Sequence, residues 1–246
     1  MSTAPLPLLA IAALLATLPF HAADGNVQDT RTMSVLSFNV REWTRDTDRS
    51  SPTYWKNRMG AMERMIKDLD PDVICLQEVL PPVGRYIPDN YRRVGLSVSH
   101  PIYVKKPLKA SRHRFSIFWD ACTVNGTRVV NVHSRWEKRI VERTVNQVNR
   151  QLTGYDIACG DWNTFLRNIQ EAGLKMESAR SLLGVPEEDT FINFSRPEES
   201  HGAIDHFFVN GLTPLSYDMI TDGYGVPRMS DHYPVLLTVQ LPEGQD

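Results

Sequence analysis

The chain has 246 residues, 41% hydrophobic and 23% charged, which is enough to bury one full core without a second domain. Its 27 Lys and Arg against 29 Asp and Glu leave a formal net charge of −2, so no global basic field announces nucleic acid. Three cysteines cannot all pair with one another, and with no C-x-x-C spacing a structural zinc site has no support.

Met1 to Ala23 contains no Lys, Arg, Asp or Glu, and Leu6 to Phe20 is almost continuously apolar. A bilayer span needs about 20 such residues. The segment reads instead as a secretory signal, residues 1–23, cut near Ala22 or Ala23, although it lacks the usual positive n-region. A disordered or membrane-skimming N-terminus is the other reading. The signal reading leaves a mature domain of residues 24–246, without a transmembrane span and expected as a monomer, that is secreted or periplasmic.

Met33 to Val40 predicts a strand. From Asn57 to Leu69, Met59, Met62, Met65, Ile66 and Leu69 recur at helical spacing until Asp70-Pro71-Asp72 ends the pattern, so the Met stripe is a core face. Val73 to Gln77 is a buried strand ending at Glu78. Between Arg85 and Arg114 lies a turn-rich passage with eight Lys or Arg and one acid, Asp89, interleaved with Tyr86, Tyr91 and Tyr103. Phe115 to Val124 and Thr127 to Val132 predict a hairpin across Asn125-Gly126. Ile140, Val141, Val145, Val148 and Leu152 mark a second amphipathic helix, followed by a short strand from Tyr155 to Cys159. Thr190 to Phe194, Ala203 to Val209 and Tyr233 to Leu241 are the remaining predicted strands. Cys75 and Cys159 lie in apolar runs and read as core thiols.

Several of these strands end in a polar group: Asn39, Glu78, His133, Asp161 with Asn163 in Gly160-Asp161-Trp162-Asn163-Thr164, and Asp231 with His232. Asp205 lies inside an apolar run, where a carboxylate is costly unless partnered, and His232 is its natural partner. Carboxylates and an amide are oxygen ligands that suit a hard cation such as Mg2+ better than zinc. His206 alternates away from Asp205 along its strand. His100, His113 and His201 read as solvent or loop histidines.

Six segments then resemble, in order, the endonuclease/exonuclease/phosphatase family, which includes deoxyribonuclease I, abasic-site endonucleases, sphingomyelinases and inositol-polyphosphate phosphatases. They are Ser37-Phe38-Asn39-Val40, Leu76-Gln77-Glu78-Val79, Val132-His133-Ser134, Gly160-Asp161-Trp162-Asn163, Ala203-Ile204-Asp205-His206 and Ser230-Asp231-His232-Tyr233-Pro234. Trp162 stands where Phe is commoner, and Arg135-Trp136 departs from the usual apolar continuation. The resemblance implies an α+β fold, a four-layer α/β/β/α sandwich of two mixed sheets. It also implies a metal site of Asn39, Glu78 and Asp231 holding Mg2+, Mn2+ or Ca2+. Asp205 would orient His232, Asp161 and Asn163 would position water and phosphoryl oxygens, and His133 would assist the leaving group. Either His232 or Asp161 could be the general base.

The expected activity is that of a secreted, divalent-metal-dependent phosphodiesterase, read as a nuclease on DNA or RNA that works by in-line water attack. A phosphatase, a lipid phosphodiesterase and a non-catalytic binding module are the alternatives. Arg92, Arg93, Lys105 and Lys106 could track a phosphate backbone, or they could be a solvated edge that deters aggregation.

Overall fold

A computed structural model describes residues 31–195 and 202–242; the leader segment 1–23 and His201 lie outside them. β1 (Thr32–Asn39) and β2 (Val73–Gln77) are joined by α1 (Trp55–Leu69), and β3 (Tyr91–Arg93), β4 (Ile102–Lys105) and β5 (Ala110–Arg112) follow. β6 (Trp119–Val124) and β7 (Thr127–His133) form the expected hairpin. α2 (Lys138–Asn149) leads into β8 (Asp156–Asp161). Then come α3 (Leu166–Glu171), β9 (Glu177–Ser178), α4 (Ala179–Leu183), β10 (Asp205–Asn210), β11 (Thr213–Met219) and β12 (Val235–Gln240).

The strands form two six-stranded mixed sheets, ordered β11-β12-β1-β2-β4-β3 and β5-β6-β7-β8-β10-β9. Each sheet holds one parallel pair, β1 with β2 and β7 with β8, because each pair is joined by a crossover helix. The other pairings of these strands are antiparallel. The inner faces meet in one core of Val35, Val73, Cys75, Val129, Ile157, Cys159, Phe207 and Val235. On the outer face of the first sheet, Leu36, Phe38, Ile74 and Leu76 bury Met59, Met62, Met65 and Ile66 of α1. Full burial of each such side chain contributes about 1.5–3 kcal/mol. On the outer face of the second sheet, Val130, Val132 and Ala158 bury Val141, Val145 and Val148 of α2. The expected four-layer sandwich and the Met stripe as a core face are both present.

All three cysteines are buried and unpaired, including Cys122. No helix among the described residues is long and apolar enough to cross a membrane.

Two expectations change. Thr190 to Phe194 is not a strand: only Phe191 bridges, to Gly202 and His232, and Asn193–Ser195 make a single 3-10 turn with Phe194 at φ 57°. Thr190 instead uses its hydroxyl to accept from the backbone N–H groups of Ile204 and Asp205, at 3.1 and 3.0 Å, which ties the segment to the start of β10. The strand expected from Phe115 begins at Trp119, leaving Phe115 and Ile117 exposed. His100 lies in a loop, one of the two places expected for it, and is 2% exposed there, between Ser99 Oγ and the Ser116 carbonyl.

Candidate active site

Strand register brings the polar strand ends together. In the parallel pair β1–β2, Asn39 lies beside Gln77, so Asn39 and Glu78 emerge at the same end. In β7–β8, His133 lies beside Asp161, and antiparallel β10 sets Asp205 against Asp161. Gly160 makes this approach possible: it has φ 134°, and a Cβ there would stand 2.0 Å from the Val132 carbonyl oxygen. Below the site the sheets are locked by Gln77 Nε2, which donates to Asn131 Oδ1 at 2.7 Å. Asn131 in turn donates to the Leu76 carbonyl at 2.8 Å. The chain turns sharply past these strand ends, with Arg41, Glu78 and Asn163 all in the left-handed region at φ 55°, 57° and 52°. For a residue such as Glu78 this costs of order 1–3 kcal/mol, and such strain clusters at functional sites.

Asp161 Oδ2 is the hub. Asn39 Nδ2 donates to it at 3.0 Å and to Glu78 Oε1 at 3.1 Å. Asn163 donates its backbone N–H to Asp161 Oδ1 at 2.8 Å and its side-chain amide to Oδ2 at 3.1 Å. The other Glu78 oxygen accepts from the Glu42 N–H at 3.1 Å. Two imidazoles face the hub: His232 Nε2 and His133 Nε2 each lie 3.9 Å from Asp161 Oδ2, and His133 Nε2 is 4.0 Å from Glu78 Oε1. The other nitrogen of His232 is held by Asp205 Oδ2 at 2.8 Å, with the Phe191 ring 5.0 Å away.

Burial is the largest influence on Asp161, raising its pKa above the ordinary 3.8, and Asp205 adds to the rise while His232 and His133 oppose it. Burial pulls His232 down, but Asp205 and Asp161 outweigh it and hold this imidazole at about 10. His206, pointing away as expected, is driven down to about 4 by burial and holds its Nε2 at 2.9 Å from the Thr164 carbonyl.

Asp231 is placed differently from Glu78 and Asn39. One of its oxygens is ion-paired with Arg41 Nη1 and the other accepts from Ser230 Oγ at 3.1 Å. Arg41 also meets Asp46 at 3.0 Å, and Asp46 pairs at 2.7 Å with the fully buried Arg58. Arg41 was not foreseen; its only sequence signal is its place two residues beyond Asn39.

The donor chemistry fits a hard cation. Glu78 and Asp161 bring carboxylate oxygens into reach of one amide, Asn39, whose own oxygen accepts from the Arg41 N–H at 2.9 Å and would face a cation only if the amide turned over. Among the described residues no group of three or more His, Cys, Asp or Glu forms a ready-made metal cage. The fit is therefore one of ligand type.

Glu78, His133 and Asn163 open onto a cleft of about 380 Å³ that Arg45, Ile117, Arg135 and Trp136 also line. Arg92, Arg93, Lys105 and Lys106 are not brought to it. β4 runs antiparallel to β2 with Val104 beside Val73, so Lys105 and Lys106 sit at the start of β2, opposite Glu78. Lys105 pairs with Asp70, and Lys106 donates to the Asp89 carbonyl at 2.8 Å. Arg92 and Arg93, on the edge strand, donate to the carbonyls of Leu108 and Ser97. These side chains hold the edge together.

The family model described as Endonuclease/Exonuclease/phosphatase family matches residues 35–232. The chain belongs to that family and is a phosphoester hydrolase, of a kind that is generally divalent-metal dependent. No curated protein matches the sequence. An endonuclease/exonuclease/phosphatase from Bacteroides vulgatus is 19% identical with a TM-score of 0.70, the match covering 87% of this chain and 100% of that one. TDP2 of D. rerio, complexed with single strand DNA product, is 18% identical with a TM-score of 0.67 over 85% and 99% of the two chains. A mannosyl-6-phosphatase of Bacteroides thetaiotaomicron is 18% identical with a TM-score of 0.65 over 85% and 100%. At these identities the likeness is one of fold.

Proposed function

We propose that the protein is a secreted, Mg2+-dependent phosphodiesterase that cleaves nucleic acid by in-line attack of water. The observation that carries this reading is the hub at Asp161 Oδ2, flanked at 3.9 Å by two imidazole Nε2 atoms, whose neighbours Glu78, His133 and Asn163 open onto a cleft with Arg45 and Arg135. Glu78, Asn39 and Asp161 would hold the cation, and Asp231 would join them only by releasing Arg41. Bound there, a cation supplies charge neutralisation on the phosphoryl oxygens.

The chain's own groups do the rest. Asp161 positions a water and takes up its proton, its carboxylate aimed by the backbone N–H and side-chain amide of Asn163. Asp205 fixes Nδ1 of His232, so that Nε2 faces the hub and meets charge developing on the phosphoryl group. His133, at the cleft side, is placed to donate to the departing oxygen. The fold likeness to TDP2 bound to a DNA product supports a nucleic acid substrate. The similar likeness to a mannosyl-6-phosphatase favours a second reading, a sugar-phosphate phosphatase.

One experiment separates them. The mature chain is incubated with single-stranded DNA, plasmid, RNA, sphingomyelin, inositol phosphates and mannose 6-phosphate, with Mg2+ or with excess chelator. Nucleic acid cleavage abolished by the chelator is expected; turnover confined to monoesters overturns the nuclease, and cleavage that survives chelation overturns the metal. Export is tested by sequencing the N-terminus of secreted protein, expected near residue 24.

A further inference from the structure

Trp136 is unlike the other tryptophans. Trp55, Trp119 and Trp162 are buried and Trp43 is partly covered, whereas Trp136 is 75% exposed. No aromatic ring of the described residues stacks on it; Trp43 and Trp162, by contrast, pack on Trp55 and Phe208. An indole left in water without a partner is a contact surface waiting for one.

Its position is fixed by the site itself. It lies three residues past His133, hence within about 10 Å of it along the chain. Ser134, 2% exposed, anchors the loop: its N–H donates to the Asp161 carbonyl at 3.0 Å and its carbonyl accepts from the Asn163 amide at 3.2 Å. Soon after, α2 begins at Lys138. Trp136 therefore stands beside the hub on a short, doubly anchored loop.

The ring also stands between two concavities. On one side is the cleft of about 380 Å³ with Glu78, His133, Asn163, Arg45 and Arg135. On the other is a hollow of about 170 Å³ that Lys138, Thr164 and Asn168 line. A chain with its scissile phosphate at the hub would cross the indole, with Arg45 and Arg135 on the cleft side to meet the adjacent phosphate.

We propose that Trp136 is the stacking platform for the base next to the scissile phosphate, and that it makes the site selective for unpaired nucleic acid. A base within a duplex is already stacked on its neighbours and cannot present its face to the indole, whereas a single strand can. A lipid surface is the rival occupant, since Ile117, 75% exposed, lines the same cleft. Ser99, Asn163, Thr164 and Asn168 line the two concavities and would be left short of hydrogen-bond partners against acyl chains, whereas a nucleotide strand offers them acceptors and donors.

The proposal rests on the nuclease reading, and its test keeps the two apart. Wild-type protein, Trp136→Ala and Trp136→Phe are assayed with Mg2+ on a single-stranded oligonucleotide, the same strand with abasic sites flanking the cleaved bond, and its duplex. Trp136→Ala is expected to raise KM on the intact strand about tenfold with kcat unchanged, the size of one base stacked on an aromatic ring. Trp136→Phe should restore most of that loss, and neither variant should move KM on the abasic strand or the duplex. An unchanged KM on the intact strand overturns the platform, as does an equal rise on all three substrates, which would mark a merely structural role. Loss of binding to phosphatidylserine vesicles with a normal KM on the strand overturns it in favour of lipid. Wild-type protein that cleaves no nucleic acid but turns over phosphomonoesters fails the nuclease reading itself.

Discussion

The polar end of the paired sheets and the basic edge of β3 and β4 relate distance along the chain to distance in space in opposite ways. At the first, Asn39, Glu78, His133, Asp161, Asp205 and His232 come from across the chain and meet within 4.0 Å of a neighbour. At the second, Arg92, Arg93, Lys105 and Lys106 are near neighbours in sequence, yet each is tied to a separate local acceptor, one a carboxylate and the others main-chain carbonyls. Parallel pairing with a crossover helix delivers strand ends to one place, whereas a hairpin edge only lays its own residues side by side. Burial adds the second difference: it makes the charges of the first region interact strongly, while the exposed ones are screened.

The comparison breaks most decisively at the hub. His232→Ala or Asp161→Asn should lower kcat by about 10³-fold or more without unfolding the protein, a loss of the size general acid-base groups carry. Steady-state rates together with circular dichroism check this. Near-normal turnover in either variant would mean that the convergence is structural. Asp205→Asn, which keeps the shape of the residue but removes the charge beside Nδ1, should cost less than His232→Ala.

Next in size is the register that creates the convergence. Gly160→Ala places a methyl 2.0 Å from the Val132 carbonyl in a residue at φ 134°, so β7 and β8 must separate. A loss of about 3 kcal/mol or more is expected, read from the urea midpoint. Wild-type stability in this variant would show that the strands can shift without harm. The contrasting substitution, Gly154→Ala, has nothing within 4 Å of the new Cβ and is strained only by its φ of 113°, so its cost should be smaller.

Acid provides a third test. His100 and His206 are held near 4 by burial, against about 6.5 when unfolded. Because their folded pKa values are depressed, the neutral folded forms contribute full stability above about pH 6.5, and that contribution is lost as pH falls through about 4. Each is worth on the order of 2–3 kcal/mol. Urea unfolding at pH 7.5 and 4.5 measures the loss, and His206→Gln should reduce it.

Much of this was legible in the sequence for a physical reason. β1, α1, β2, β7, α2, β8, β10 and β12 carry hydrophobic periodicity over several residues, and the site residues sit where those apolar runs stop. β3, β5 and β9 span only two or three residues, and β11 contains Pro214, so no periodic signal accumulates. Thr190 to Phe194 has the composition of a strand but lies over the dyad, with the Phe191 ring against His232. Arg41 and Arg45 escaped notice because a left-handed turn after β1 aims them, and turn geometry at a non-glycine residue leaves little trace in composition.

The smallest expected effect is the one that tests the basic edge directly. Reversing the charge at Arg92, Arg93, Lys105 and Lys106 removes about eight units of positive charge relative to the wild type. If these groups met phosphates, the logarithmic salt dependence of nucleic acid binding would flatten by nearly one unit for each phosphate left without its cation. Their side chains are instead engaged at the far end of β2 and along the edge strand, so the slope should not change and kcat/KM at moderate salt should stay close to the wild-type value. Reversal of Arg45 and Arg135, which line the cleft, should flatten the slope by about two units. A change at the edge with none in the cleft would invert the comparison and move the nucleic acid path to β3 and β4.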